Sequence, residues 1–242
     1  MNLGILGNVF GKISVPENNF TKYGVKKTVR IFDPIIGFED LKEIFQLSIN
    51  ADKPVHVLLV GPPASAKSLF MSCLTKLKRS YYAVGSSSTK SGILEYLFQY
   101  RPRYFIIDEI EKMSKKDQAS LLGLMESGLL SELKHRQQRM TQLKTWIFAS
   151  ANNADKLLAP LLTRFTIIHL KPYTKEEFVE IAVNVLNRDE GTEKDVARCI
   201  VELVFDKLSS NMRECIRIAR MADNNTAKAQ RVVDMLTIYG NK

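Results

Sequence analysis

The sequence has few cysteines and no long apolar run, and each shortage argues against a class of protein. Its three cysteines, Cys73, Cys199 and Cys215, are odd in number and have no CxxC spacing, which disfavours a disulfide framework and a zinc site. They fall within helical patterns, so we expect reduced core thiols. Because no apolar stretch could span a membrane and no signal sequence opens the chain, we expect a cytoplasmic protein without membrane contact.

The composition is ordinary for a globular protein, except for its charge. Of 242 residues, 45% are hydrophobic and 25% are charged, which is enough to bury a sizeable core. There are 35 Lys and Arg residues against 26 Asp and Glu, for a formal net charge of +9. This excess favours a polyanionic partner, although it carries no information about the fold.

The strongest chemical signal lies in residues 55–68, VHVLLVGPPASAKS. Residues 56–60 predict a fully buried strand, because the run is short, apolar and bounded by Gly61-Pro62-Pro63. Residues 61–68 fit the phosphate-loop pattern GxxxxGK[ST], except that Ala66 replaces the second glycine. We expect Ala66 to cost little, on the assumption that this residue is already helical and needs no positive φ.

In such a loop, backbone N–H groups point at the β-phosphate, the Lys67 ammonium reaches the β- and γ-phosphates, and the Ser68 hydroxyl ligates Mg²⁺. The alternative is a chance Gly-Lys-Ser turn. The predicted nucleotide-binding residues of this segment are Gly61, Pro62, Pro63, Ala64, Ser65, Ala66, Lys67, Ser68 and Leu69.

A second apolar strand, at residues 104–109, ends in two adjacent carboxylates, Asp108 and Glu109. Asp108 is predicted to hold Mg²⁺ through water, and Glu109 to polarise a water for attack on the γ-phosphate. The alternative interpretation is a solvated turn in which Glu109 caps a helix.

Four motifs together resemble the AAA+ ATPases: residues 61–68, IDEIEKM at 107–113, FASAN at 148–152 and LLTRF at 161–165. The Ala-Lys-Ser ending, the extended IDEIEKM segment and LLTRF are similar to minichromosome-maintenance helicases and MoxR-type ATPases. The short interval from Gly92 to Asp108 is more similar to RuvB, because it leaves no room for the helix-2 insertion of the other two groups. The resemblance covers roughly residues 30–225.

This resemblance implies an α/β P-loop core with a five-stranded parallel sheet in the order 5-1-4-3-2, followed by a small all-α lid. The corresponding divisions are an N-terminal arm at 1–30, a core at 31–171 and a helical lid at 172–242. Helical periodicity predicts four lid helices, at residues 175–188, 192–208, 211–223 and 226–239. The arm has a second interpretation, a solvated tail.

The resemblance also assigns roles outside the phosphate loop. It places Ile35, Ile36 and Gly37 against the adenine, with ordinary core packing as the rival interpretation. It gives Asn152 the task of orienting the attacking water, with Asn153 as a neighbour that could be confused with it.

Two arginines complete the implied nucleotide site. Arg164 would act in trans, on the nucleotide of a neighbouring subunit, although a structural salt bridge is the alternative. Arg213 would sense the γ-phosphate from the lid, with Arg217 and Arg220 as rivals.

Five cations are candidate nucleic-acid contacts. Residues 131–145, SELKHRQQRMTQLKT, predict a hairpin with a basic tip that carries Lys134, Arg136, Arg139 and Lys144 against one acid, Glu132. A basic tip would contact phosphates without reading sequence, although a charge run is more often a solvated face. Lys90 lies in a predicted loop, residues 85–92, that in related motors faces the central pore; a flexible surface loop is equally compatible.

We therefore expect a Mg²⁺-dependent ATPase that binds ATP and ADP and acts as a homo-oligomeric, hexameric ring. DNA is the first expected substrate, reached through the pore or a DNA-binding protein partner. A MoxR-like protein-remodelling chaperone is the alternative. A nonenzymatic, nucleotide-gated scaffold is a third, which the presence of Glu109 disfavours.

Overall fold

A computed structural model describes residues 30–63, 65–134 and 137–240, with backbone alone at 133, 134, 137 and 138. Over this range the chain divides into two compact units, one ending at Lys171 and the other beginning at Pro172. None of the described helices is both long and apolar enough to cross a membrane.

The first unit is built on a five-stranded parallel sheet, which confirms the predicted α/β class. Along the sheet the order is β2-β3-β6-β1-β7, and β4 and β5 form a separate hairpin. Counting only the five strands of this sheet, from the opposite edge, the order is 5-1-4-3-2 as predicted. The strands are β1 His56–Val60, β2 Ser80–Val84, β3 Tyr104–Asp108, β4 Leu129–Lys134, β5 Gln137–Gln142, β6 Trp146–Ala151 and β7 Phe165–His169.

Six helices cover the sheet: α1 Glu39–Asn50, α2 Lys67–Leu74, α3 Lys90–Tyr100, α4 Lys115–Ala119, α5 Leu121–Ser127 and α6 Ala159–Leu162. Strands β1, β3 and β6 are buried along their whole length, because helices pack on both faces of the sheet. Alternate residues of these strands therefore belong to two separate core clusters, one on each face.

A buried histidine links the central strands. The His56 Nδ1 accepts the Ile147 backbone N–H at 3.0 Å, so its Nε2 carries the proton and donates to the Met125 carbonyl at 3.2 Å. Burial lowers the pKa of His56, which keeps the ring neutral.

The predicted loop at 85–92 is shorter than expected. Helix α3 begins at Lys90, because the Thr89 hydroxyl accepts the Gly92 N–H at 3.2 Å and caps the helix. Lys90 is therefore a first-turn helical residue, and its own N–H donates to Asp117 at 2.6 Å. The prediction that Lys90 lies in a loop is therefore wrong, whereas its contact with a substrate stays a prediction.

The second described unit contains four helices, α7 Lys175–Asp189, α8 Lys194–Lys207, α9 Met212–Ala222 and α10 Thr226–Tyr239, close to the predicted bounds. Helix α7 starts with a reciprocal capping box between Thr174 and Glu177. Their apolar faces form one core cluster that includes Phe178, Ile200 and Cys215.

The three thiols differ in their surroundings, and this difference predicts their reactivity. Cys73 and Cys215 are fully buried, whereas Cys199 is partly exposed. Burial raises the pKa of Cys73 to about 11 and that of Cys215 to about 12, so their reactive thiolate forms are scarce at neutral pH. With an aromatic disulfide reagent near pH 7 we expect one fast-reacting thiol in the native protein and three in denaturant. In a Cys199→Ser variant the fast phase should vanish; its persistence would contradict this assignment.

Candidate functional site

The phosphate-loop segment runs from the end of β1 into α2. The Gly61 N–H donates to the Ala151 carbonyl at 3.1 Å, which ties the start of the loop to the end of β6. A Cβ at Gly61 would lie 2.7 Å from the backbone oxygen of Leu170, so only glycine fits between the two strands. Ala64 lies outside the described residues.

Ala66 corrects one expectation from the sequence. It is not helical: its φ is +48° and its ψ is −7°, in the left-handed region, immediately before α2. The glycine of the usual pattern would adopt this conformation freely, whereas alanine carries a steric cost of roughly 1–2 kcal/mol.

The Lys67 ammonium is buried inside the loop that precedes it. It donates to the carbonyls of Gly61 at 2.7 Å and Pro62 at 2.6 Å and to the Ser65 hydroxyl at 3.1 Å, which uses all three of its donors. Burial lowers the pKa of Lys67, and the nearby carboxylates, Asp108 first, oppose that shift. Ser68 is exposed in the first turn of α2, and Leu69 is half-buried.

Asp108 is a buried carboxylate at the end of β3, and the neighbouring strands on both sides satisfy it. It accepts the Tyr82 hydroxyl at 3.1 Å and the Ser150 hydroxyl. The Ser150 oxygen also accepts the Glu109 N–H at 3.1 Å, so one hydroxyl joins both acidic residues. Burial and the Asp108 charge raise the pKa of Tyr82, which therefore stays a donor.

Glu109 occupies a strained turn. Its φ is +56°, and its carboxylate forms an ion pair with Lys112 at 2.8 Å while remaining partly exposed. Positive φ at a non-glycine residue concentrates at functional sites, where surrounding contacts impose it. In the alternative interpretation Glu109 caps a helix: it does precede the 3-10 turn Ile110–Lys112, but its side chain makes no capping hydrogen bond.

Glu111 is a site residue that the sequence reasoning missed. One of its carboxylate oxygens accepts both the backbone N–H and the side-chain amide of Asn152, each at 3.0 Å. The other oxygen is buried and has no hydrogen-bond partner among the described residues. Its position in the sequence, two residues after Glu109, could have identified it. The 3-10 turn Ile110–Lys112 brings Glu111 toward the end of β6.

Ser150 and Tyr82 were also missed. Ser150 lies within the quoted FASAN segment, and parallel pairing aligns β2 and β6 on either side of β3. Polar residues near the carboxyl ends of neighbouring strands were therefore the signal that could have identified both.

Arg164 makes the structural salt bridge that was its alternative interpretation. Its guanidinium pairs with Glu126 and donates to the Pro160 carbonyl at 2.5 Å. The Arg164 Nε is buried and finds no hydrogen-bond partner in the described part of the chain. Its action on a neighbouring subunit stays a prediction.

The three residues predicted to contact the adenine base differ in how deeply they are buried. Ile35 is 2% exposed and packs in the core with Phe32, Phe45 and Phe70, as its rival interpretation supposed. Ile36 is half-buried, and Gly37 is exposed with a φ of +73°.

The predicted hairpin exists, and two of its four predicted cations, Arg139 and Lys144, lie away from its tip. The Arg139 guanidinium bonds Glu132 and Glu95, the latter at 2.8 Å, and lies 4.9 Å from the Phe98 ring centroid. Lys144 follows the end of β5, at the base of the hairpin, 5.7 Å from the Trp146 ring centroid. Lys134 ends β4 as backbone only, and Arg136 lies outside the described residues.

In the second unit the three candidate arginines differ in their partners. Arg217 pairs with Glu214 at 3.4 Å and Arg220 with Glu190 at 2.8 Å. Arg213 is exposed in the first turn of α9 and forms no ion pair with any described residue. This difference favours Arg213 over its rivals as a group available to a ligand.

Comparisons with known proteins bear on both fold and site. Residues 57–173 match the family described as "ATPase family associated with various cellular activities (AAA)". The DNA replication licensing factor MCM4 of Arabidopsis thaliana is 27% identical over 184 residues, 69% of this chain and 22% of that protein. The Holliday junction branch migration complex subunit RuvB of Fusobacterium nucleatum is 23% identical over 241 residues, 90% of this chain and 73% of that protein.

A solved structure gives the same fold. The Thermotoga maritima RuvB Holliday junction branch migration motor superposes with a TM-score of 0.63 at 21% identity, over 84% of this chain and 71% of that one. The chain thus spans only about a fifth of its MCM4 relative and most of the RuvB proteins.

The left-handed conformation of Ala66 predicts that glycine is the better residue there. We expect Ala66→Gly to raise the free energy of unfolding by about 0.5–1 kcal/mol, because the relieved strain exceeds the roughly 0.4–1 kcal/mol entropy cost of glycine. Urea unfolding measures this. The matched control, Ala119→Gly in α4, should lose up to about 1 kcal/mol instead. Equal losses in both variants would show that Ala66 is unstrained.

Proposed function

From the RuvB- and MCM-like AAA ATPase domain that this chain carries at residues 57–173, we propose that the protein is a Mg²⁺-dependent, ATP-hydrolysing motor that acts on DNA. The observation that carries the proposal is the meeting of three groups at the carboxyl edge of the sheet. There Lys67 follows β1 in the phosphate-loop segment, and Asp108 and Glu109 follow the end of β3, with β6 between these two strands. Phosphate binding and water activation require such a cation and such carboxylates.

The residues at this edge fit Mg²⁺ and a nucleotide. The Asp108 carboxylate and the Ser68 hydroxyl are oxygen donors, the type that Mg²⁺ prefers. No group of three acidic, His or Cys side chains in the described part of the chain could hold a metal by itself. A site with few protein ligands suits Mg²⁺, which keeps waters and takes further ligands from substrate phosphates. When bound, the ion would neutralise charge that develops on the phosphates.

In the proposed mechanism, Lys67 exchanges its loop acceptors for phosphate oxygens. The three acceptors that hold it now are neutral, and phosphate offers a stronger, charged partner. Ser68 and Asp108 hold the metal, with Tyr82 and Ser150 fixing the carboxylate. Glu109 takes a proton from the attacking water once its ion pair with Lys112 opens.

Asn152 orients that water, and the two hydrogen bonds from Asn152 to Glu111 fix the position of the Asn152 amide. Arg164 completes the site of the next subunit, for which it must leave Glu126, and Arg213 contacts the γ-phosphate from the lid. Residues of two subunits would then be needed for one turnover. We propose that this requirement is met by a homo-oligomeric, hexameric ring whose core is residues 31–171 and whose lid is 172–242.

DNA is the proposed substrate because two kinds of observation agree. The names of the MCM4 and RuvB relatives refer to DNA replication and to Holliday junctions, and this chain has a net charge of +9. One observation favours the second candidate, a protein-remodelling ATPase: the hairpin cation Arg139 is already neutralised by two carboxylates.

Steady-state ATP hydrolysis tests the proposal. We expect Mg²⁺-dependent turnover that falls at least about a hundredfold in Glu109→Gln, because the water loses its base. Single-stranded, duplex or branched DNA should stimulate the rate of the unsubstituted protein, and the stimulation should fade as salt rises.

Two results would contradict different parts of the proposal. Turnover that no DNA changes at any salt concentration would exclude the DNA motor and favour protein remodelling. A rate no higher than that of Glu109→Gln would exclude the ATPase itself.

The Glu111 contact predicts a positioning role that acts through Asn152. We expect Glu111→Ala to lower kcat roughly tenfold to a hundredfold with little change in KM, because the amide loses its orientation. Glu111→Gln, which keeps an acceptor oxygen, should lose less. The double variant Glu111→Ala/Asn152→Ala should be no slower than Asn152→Ala alone. Additive losses in the double variant would show that Glu111 acts independently of Asn152.

A further inference from the structure

A second charged surface lies at the amino edge of the sheet, opposite the carboxylates. Strands β2, β3 and β6 begin there side by side, with Ser80 paired to Tyr104 and Tyr104 to Trp146. Around these strand starts is a cleft of about 280 Å³. We call it the basic cleft, and its lining includes four cations: Arg79, Arg101, Arg103 and Lys144.

These four cations are exposed and lack acidic partners among the described residues. None of them forms an ion pair with an acidic side chain in residues 30–63, 65–134 or 137–240. The hairpin cation Arg139 differs sharply, since it is held by Glu95 and Glu132. Of the hairpin cations whose side chains the structure describes, Lys144 thus has no acidic partner, and it belongs to the basic cleft.

The cleft is held in shape by hydrogen bonds between its own segments. The Arg79 guanidinium donates to the Arg101 carbonyl at 2.6 Å, and the Arg79 carbonyl accepts the Arg103 N–H at 2.9 Å. The Trp146 N–H donates in turn to the Arg103 carbonyl at 2.8 Å. Three separate chain segments are thus fixed against one another before any ligand arrives, which lowers the entropy cost of binding.

Trp146 orients two of the cations. The Arg103 guanidinium lies 4.7 Å from the Trp146 ring centroid and the Lys144 ammonium 5.7 Å, both within cation–π range. The indole N–H donates to the Ser48 carbonyl at 2.8 Å, and the side chain is fully buried. The ring therefore positions the cations but offers no exposed face on which a base could stack.

We infer that the basic cleft binds the phosphodiester backbone of DNA, independently of sequence. Guanidinium groups match phosphate geometry, and four cations without acidic partners favour a repeating polyanion. The described lining residues present no exposed aromatic ring to a base, which favours contact with the backbone. The inference rests on the proposed DNA function. It places a DNA contact at the amino edge of the sheet, opposite the edge that holds the nucleotide.

Fluorescence anisotropy with labelled single-stranded, duplex and branched DNA, over a range of salt concentrations, tests the cleft. Arg103→Gln/Lys144→Gln should weaken binding to all three DNAs to a similar extent. The slope of log affinity against log salt should become shallower by about 1.8 for duplex and about 1.4 for single strands. Raising the salt concentration from about 50 to about 200 mM weakens duplex binding by some factor in the unsubstituted protein, and this factor should be roughly tenfold smaller in the variant.

Three further variants make the result specific. Lys194→Gln/Arg198→Gln removes the same charges from exposed positions on α8 and should leave the slope unchanged. Arg103→Lys/Lys144→Arg keeps both charges and should retain the slope. Lys144→Gln alone removes an exposed side chain without a hydrogen bond to the described residues, so it tests the cleft even if Arg103 is needed for folding; about half the effect is expected.

The outcomes separate the cleft from the broader function. If the unsubstituted protein binds DNA, and Arg103→Gln/Lys144→Gln and Lys144→Gln both keep its salt slope, the cleft is excluded while the proposed DNA function stands. If the unsubstituted protein hydrolyses ATP but binds no DNA, the DNA function and the cleft both fail.

Discussion

A charge buried at the end of an apolar strand is the constraint on which the site depends. Asp108 closes β3, which is buried throughout, and an unsatisfied carboxylate there would cost several kcal/mol. Its hydrogen bonds come from Tyr82 on β2 and Ser150 on β6, so satisfying the charge also fixes these strands against β3. The Ser150 bond to the Glu109 N–H then sets where the second carboxylate begins. The need to hydrogen-bond the Asp108 carboxylate therefore fixes three strands and both acidic residues relative to one another.

The site also carries backbone strain at two of its most informative residues. Ala66 and Glu109 both adopt left-handed conformations, one at the start of α2 and the other just beyond β3. Each costs roughly 1–2 kcal/mol, which the surrounding packing must offset. Both lie where the chain turns sharply from a strand at the carboxyl edge of the sheet. Glu109 follows β3 directly, whereas Ala66 ends the loop between β1 and α2.

The two edges of the parallel sheet have opposite character. At the carboxyl edge, the charges of Asp108, Glu111 and Glu109 oppose the lowering of the pKa of the buried Lys67 ammonium. At the amino edge, four cations gather around the start of β6 with no described acid to pair them. Parallel strands make this separation possible, because every strand start lies at one edge and every strand end at the other.

Local pattern in the sequence was sufficient for individual strands and for the lid helices, whereas the strand order of the sheet was predicted from the resemblance to AAA+ ATPases. Short apolar runs predicted β1 at its observed bounds and β3 to within one residue, and helical periodicity predicted the four lid helices to within about two residues of their ends. These features depend on neighbours within a few residues, so the sequence alone determined them. Tertiary structure decided the pairing of Arg139 with Glu95, the support of Asn152 by Glu111 and the basic cleft. The two pairs lie 44 and 41 residues apart, and the cleft joins Arg79 to Arg101, 22 residues away, so only the packing of strands and helices brings these groups together.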